Sequence, residues 1–148
     1  MNLKIKKREL FRPLAPVVIE ESFSRFFDGM PSRLTSLMLQ AVPVTQKYRD
    51  QLEEITHIDG TARVQSLHLN DNPLLHNLLM EHGNITGIPI LLNTSLNGNG
   101  MPITERPEDT YDLFLNTDID IAVINGTIFE KPNNSVNSDS VKLRHFVL

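Results

Sequence analysis

The sequence contains no cysteine. That excludes a disulfide framework and any thiolate metal site. No apolar run approaches the length of a membrane span, and no secretory signal opens the chain, so a cytoplasmic protein with no membrane partner is the expectation. No internal repeat is visible. Two catalytic signatures are also missing: a glycine-rich phosphate loop of the P-loop type and a Gly-x-Ser-x-Gly nucleophile elbow. Net charge is modest, at -4. The molecule as a whole is therefore not built to bind a polyanion, and nucleic acid is not the expected partner.

What is present suits one domain: 148 residues, 40% of them hydrophobic, enough for a core. Positive charge is concentrated at one end, where Lys4, Lys6, Lys7, Arg8 and Arg12 crowd together. The stretch around which the chain is organised is Pro89-Ile-Leu-Leu-Asn-Thr-Ser-Leu-Asn97, followed by Gly98-Asn-Gly100. Ile90-Leu91-Leu92 reads as a short buried strand. It turns polar at Asn93-Thr94-Ser95 and leaves in a glycine- and asparagine-rich loop. Ligands of open α/β sheets bind beyond the carboxyl ends of strands. Ser95 and Asn97, two apart, share a side if extended geometry continues. The same residues also suit the plain beginning of a turn.

The rest of the chain alternates strand and helix signals. Pro13 to Glu20 reads as an extended segment whose prolines make it start late or lie at an edge. Glu20 to Phe27 predicts a short helix through Phe23, Phe26 and Phe27, and Gly29 to Ser32 breaks it. Met38 to Val42 predicts a strand, and Thr45 to Glu54 a charged loop with a helical turn. Asp59-Gly60 is a turn signal, and Arg63 to Leu69 alternates as one strand. Asn72-Pro73 opens a helix with Leu74, Leu75, Leu78 and Leu79 as its apolar stripe and Gly83 as its end. Pro107-Glu108-Asp109 opens another, with Tyr111, Phe114 and Leu115 facing the core. Ile119 to Ile124 and Thr127 to Glu130 form a hairpin about Asn125-Gly126. The composition of Pro132 to Ser140 predicts disorder. The class is α/β or α+β with a mixed sheet.

Three polar clusters could carry chemistry. Lys6-Lys-Arg8-Glu-Leu-Phe-Arg12 could clamp a phosphate, with arginine as a fork and lysine as a mobile point charge, or be a solvated basic end. His57-Ile-Asp59-Gly60-Thr61-Ala-Arg63 could supply an anion ligand and a proton carrier, or be an ordinary loop and a surface arginine. Asn93, Ser95 and Asn97 form the third. His76 and His82 are six apart, which is not the spacing that puts two metal ligands on one helix face. With His68 and His145 they read as structural or surface residues, so no metal site is expected in this chain itself.

The combined pattern of Lys6-x-Arg8-Glu-x-Phe-Arg12-Pro13, Thr56-His57-Ile-Asp59-Gly60-Thr61-Ala-Arg63-Val-Gln65 and Leu92-Asn93-Thr94-Ser95-Leu-Asn97 resembles the C-terminal half of the carbamoyltransferases typified by NodU, CmcH and TobZ. The likeness runs from about Asn2 to Lys131. The Lys-x-Arg and Ser-x-Asn pairs (Lys6, Arg8, Ser95 and Asn97) also resemble the signature of the YrdC proteins. The resemblance implies a YrdC-like domain over residues 1–131, a twisted mixed sheet flanked by helices, followed by a polar, flexible tail over 132–148. It implies that the domain takes carbamoyl phosphate and ATP with Mg2+ and forms carbamoyl adenylate. A second, N-terminal domain then transfers the carbamoyl group to a hydroxyl acceptor. Lys6, Arg12, Arg63, Asn93 and Ser95 would bind the donor on one pocket, with Arg8 and Asn97 completing the signature. No catalytic residue is singled out.

The sequence departs from the family pattern in places. On this resemblance the large N-terminal domain, with its metal site and acceptor pocket, and an arginine- and glycine-containing segment before Lys6 are expected to lie outside these 148 residues. Leu96 stands where an aromatic residue is usual, a tolerable apolar exchange. Arg106 stands where a small helix cap is usual, a loss of about 1 kcal/mol. The reading is the C-terminal part of an O-carbamoyltransferase, a fragment, a split half or a remnant, with a separate chain as the supplier of the remainder. Alone it is expected to be inactive in transfer and weak in binding carbamoyl phosphate. The alternative is a non-catalytic nucleotide- or RNA-binding module that keeps the same surface, since phosphate-binding arginines serve both.

Overall fold

A computed structural model describes residues 1–7, 9, 12–132 and 141–145. The chain divides into two compact units, Pro13–Thr94 and Met1–Arg12 with Ser95–Leu148.

In the first unit the organising strand is β1, Ala15–Ile19, all five residues of which are buried. A strand covered on both faces needs a continuous apolar run rather than alternation, and Ala-Pro-Val-Val-Ile supplies one. Helix α1, Glu20–Phe26, follows directly, with Glu20 and Glu21 at its positive end. Helix α2, Arg33–Ser36, is a single turn. Strand β2, Ala41–Pro43, pairs antiparallel with β3, Thr61–Arg63. Strand β4, Gln65–Leu67, lies parallel to β1, and β5, Ile90–Asn93, lies antiparallel on its other side, giving the order β4-β1-β5. Between them runs α3, Pro73–Thr86. Val18 faces a cluster that contains Phe23, Phe26, Phe27, Tyr48, Ile55 and Ile90. Val17 and Ile19 face Leu67 and Leu79 beneath α3. The class is thus α+β, with a mixed sheet covered by helices.

Several sequence expectations change for local reasons. β1 starts late, as its prolines demand, but lies at the centre of its sheet. Pairing to β4 begins only at Val17, so the missing N–H of Pro16 falls outside that ladder. The strand expected at Met38 to Val42 shortens to Ala41–Pro43. Ser32 and Thr35 close a capping box instead, Oγ of Ser32 accepting from Thr35 N and Oγ1 of Thr35 from Ser32 N, which commits the segment to a helical turn. Met38 then takes a left-handed conformation at φ 57°.

The single strand expected over Arg63 to Leu69 is two. Val64 is fully buried between them, and the chain passes from the partner β2 to the partner β1. Helix α3 starts as expected, Asn72 Oδ1 accepting from Leu75 N at 3.0 Å. It runs through Gly83, however, and stops at Gly87, whose φ of 79° provides the left-handed cap. Its buried face carries His76 and Leu79, while Leu74 and Leu78 are exposed.

In the second unit Asn2–Lys6 forms one π-helical turn. Helix α4, Pro107–Leu115, packs on a sheet of order β6-β7-β8: β6 is Ile121–Ile124, β7 Thr127–Glu130 and β8 Lys142–His145. Tyr111 and Phe114 of α4 meet Phe129 of β7 at ring-centroid distances of 5.1 and 6.5 Å. The hairpin turns at Asn125-Gly126, both at positive φ, 49° and 76°, as two-residue turns with a matching twist require. At the start of α4, Arg106 caps nothing with its own side chain. Asp109 compensates, accepting from the Arg106 backbone N–H at 3.1 Å and from its guanidinium at 3.0 Å. Part of the tail, residues 142–145, is strand β8; the segments 133–140 and 146–148 lie outside the described residues.

Candidate functional site

Among the described residues Lys6 is the buried basic residue of the N-terminal run, only 7% exposed. The π-turn holds it, with the N–H groups of Ile5 and Lys6 both donating to Met1 O, at 3.1 and 3.2 Å. Asn2 ties the turn further along by donating from Nδ2 to Arg12 O at 2.7 Å. The ammonium reaches the loop after β5. It donates to Ser95 O, and lies 2.7 Å from Asn97 Oδ1 and 3.2 Å from both Ser95 Oγ and Asn97 O.

The loop is itself cross-linked. Ser95 Oγ donates to Asn97 Oδ1 at 2.7 Å, and Asn97 Nδ2 donates to Met101 O at 2.7 Å. The amide of Asn97 is therefore oriented: its oxygen takes two donors and its nitrogen faces a carbonyl. Three ammonium N–H bonds serve four oxygens, so the two contacts at 3.2 Å share a donor. Among the described residues the backbone N–H groups of Ser95, Leu96 and Asn97 donate to no acceptor. Free N–H groups beside a lysine suit an anion. Arg12 is exposed in the same unit, and Arg8 lies outside the described residues.

Asn93 and Arg63 belong to the Pro13–Thr94 unit. Asn93 ends β5 opposite Ala15, and Gln65 begins β4 opposite Val17. Reaching over the small Ala15, Asn93 Nδ2 donates to Gln65 Oε1 at 2.5 Å and lies 3.5 Å from Met38 Sδ. Arg63 is exposed on β3, opposite Ala41. Of the five residues expected to share one pocket, Lys6, Arg12 and Ser95 belong to one unit and Arg63 and Asn93 to the other. Gln65 was legible only as a motif member; its bond to Asn93 depends on two strands meeting across a third.

The His57–Thr61 segment is a built turn. Asp59 Oδ1 accepts from Thr61 N at 3.0 Å and from Thr61 Oγ1 at 2.8 Å, and these bonds hold its carboxyl below the usual range. Gly60, at φ 80°, sits under the Arg49 guanidinium. The His57 side chain is exposed. His76 is buried, with Nε2 3.2 Å from Glu21 Oε2. Among the described residues no group of three or more histidine and carboxylate side chains is placed to hold a metal ion, and no helix is long and apolar enough to cross a membrane.

Residues 1–131 match the family described as Carbamoyltransferase C-terminus. The chain belongs to this family. Among curated proteins it is similar to Nodulation protein NolNO of Sinorhizobium fredii, 40% identical over 132 residues that cover 88% of this chain and 19% of that protein. It is similar also to Nodulation protein NolO of Bradyrhizobium diazoefficiens, 39% identical over 134 residues, covering 88% of this chain and 24% of that protein. Nodulation protein U of Azorhizobium caulinodans is 38% identical over 95 residues, 64% of this chain and 17% of that protein. The carbamoyltransferase C-terminal chain thus spans about a fifth to a quarter of the length of the first two relatives, and it carries both the Lys6 and the Asn93 sets within the matched residues.

Proposed function

We propose that this chain is the donor-binding part of an O-carbamoyltransferase. Lys6, Arg8, Arg12, Arg63, Asn93, Ser95 and Asn97 contact carbamoyl phosphate, or the carbamoyl adenylate made from it. Carbamoyl phosphate gives up its phosphate to water, and an oxygen of the carbamate then displaces pyrophosphate from ATP. Mg2+ travels on the ATP phosphates. The remainder of the enzyme, in the same or a separate chain, holds the hydroxyl acceptor. A requirement for ATP argues for the cytoplasm.

The observation that supports this reading is the grip of Ser95 and Asn97 on the Lys6 ammonium. A phosphate oxygen can replace the two contacts at 3.2 Å while the short ones keep the ammonium in place. Each charge-assisted hydrogen bond formed this way contributes about 1.5–3 kcal/mol. Positive charge fixed in advance near a phosphate also favours the charge that develops as phosphoryl bonds break. The carbamoyl group, planar with donors and an acceptor, suits amide and hydroxyl partners.

The test is titration of the 15N-labelled chain with carbamoyl phosphate. The backbone amides of Ser95, Leu96 and Asn97 are expected to shift, and Lys6→Met to abolish the shifts. Absence of any shift at these amides up to millimolar donor would overturn the reading.

A further inference from the structure

We propose that Gln65 and Met38 are positioning residues that lock the side-chain amide of Asn93, leaving its Oδ1 as the free group, and that this selects a carbamoyl donor over an acyl phosphate. The inference deepens the function proposed above and rests on it for the identity of the ligand.

The argument begins with the two acceptors around Asn93 Nδ2. Gln65 Oε1 is 2.5 Å away and Met38 Sδ 3.5 Å. An amide next to another amide is ordinarily ambiguous. Turning both over would let Gln65 Nε2 donate to Asn93 Oδ1 with an equally good bond. The sulfur breaks the tie. A thioether accepts and never donates, so in the turned arrangement Asn93 Oδ1 would face Met38 Sδ, two lone-pair-bearing atoms with no proton between them.

Met38 cannot easily move aside. Its backbone is held at φ 57°, with its N–H bonded to Thr35 O at 3.0 Å. Thr35 in turn is pinned to β4 by a buried contact of 2.9 Å between its Oγ1 and Ser66 Oγ, one residue from Gln65. The lock is therefore anchored on the same strand that carries Gln65.

With the nitrogen engaged, Asn93 presents an acceptor. Among the described residues Asn93 Oδ1 accepts no hydrogen bond. Carbamoyl phosphate differs from acetyl phosphate by an NH2 in place of a methyl group. The free Oδ1 accepts an N–H from the first and meets only C–H from the second. Without the lock Asn93 could turn its own N–H groups outward, where they would serve the carbonyl oxygen of either ligand equally.

The experiment measures the dissociation constants of carbamoyl phosphate and of acetyl phosphate for the chain by NMR titration, in wild type, Gln65→Leu, Gln65→Glu and Met38→Leu. Wild type is expected to prefer carbamoyl phosphate about tenfold, the factor that one hydrogen bond of about 1.4 kcal/mol supplies. In Gln65→Leu the preference should fall to within about twofold. Gln65→Glu is the rescue. A carboxylate only accepts, so it keeps the Asn93 orientation; its charge weakens both anions together and leaves the ratio intact. Met38→Leu should lower the ratio in part. A Gln65→Leu chain that weakens both ligands with an unchanged ratio, or a Gln65→Glu chain that loses the ratio, overturns the proposal. Should Gln65→Leu fail to fold, the Gln65→Glu ratio decides. A wild-type chain that binds neither anion overturns the carbamoyl phosphate reading and the selectivity with it. The amide lock is judged separately by the unliganded spectrum. One Asn93 side-chain N–H should exchange slowly in wild type and in Gln65→Glu; fast exchange of both protons overturns the lock itself.

Discussion

Lys6 Nζ lies 2.7 Å from Asn97 Oδ1, across ninety-one residues of chain. The bond joins the first turn of the protein to the loop after β5. Asn97→Leu removes this acceptor from a buried ammonium and also strands the hydroxyl proton of Ser95. Loss of a hydrogen bond to a charged group costs about 1.5–3 kcal/mol. Urea unfolding should show a loss of that size, with the amide of Thr104, which donates to Leu96 O at 3.0 Å, losing protection. A change below about 0.5 kcal/mol, the scale of an ordinary surface substitution, would mean that the contact is not formed in solution.

The 148 residues assayed by themselves are expected to support no carbamoyl transfer to a hydroxyl. Holding two reactants in attacking geometry can supply about 7–11 kcal/mol of a barrier, and the proposed acceptor site is not among the residues assigned here. Carbamoyl phosphate, ATP and Mg2+ incubated with the chain should yield little pyrophosphate and no O-carbamoyl product. Efficient turnover would show that these residues carry a complete site.

Gly83 and Pro89 touch so closely that a Cβ on Gly83 would lie 2.8 Å from the Pro89 Cβ. Alanine is the better helix former by about 1 kcal/mol. Against a proline ring fixed in front of β5, the added methyl forces a shift, and overpacking costs about 1–3 kcal/mol. Gly83→Ala should therefore lower the melting temperature, although it improves the helix in isolation. A rise would show that the α3–β5 junction yields.

Asp109 carries the acid sensitivity of α4. The Arg106 guanidinium and backbone N–H hold its carboxyl below its ordinary 3.8. A depressed carboxylate stabilises the fold above that ordinary value, and its contribution is lost as pH falls through the folded-state value. Asp109→Asn should therefore melt lower than wild type at about pH 6, and the difference should shrink towards about pH 3. An unchanged difference across that range would assign the effect to packing rather than charge.

The sequence alone determined those features that depend on neighbouring residues. Asn72-Pro73 opens α3 because the cap oxygen and the N–H that it serves are three residues apart. Asn125-Gly126 turns the β6-β7 hairpin because two successive residues must take positive φ. The family motifs were legible for the same reason, since residue types at fixed spacing survive without a structure. Tertiary structure decided whatever depends on which surfaces meet. Gly83, a sound helix terminator in isolation, became an interior residue because Pro89 needed the space above it. Val64, a plain member of an alternating run, became the point where the chain leaves one sheet for another because its side chain is buried in the core. Gln65 became a partner of Asn93 only because β4 and β5 flank the same strand. Spacing along the chain specifies a local hydrogen bond directly, whereas a contact between distant residues exists only after the core has chosen the register that brings them together.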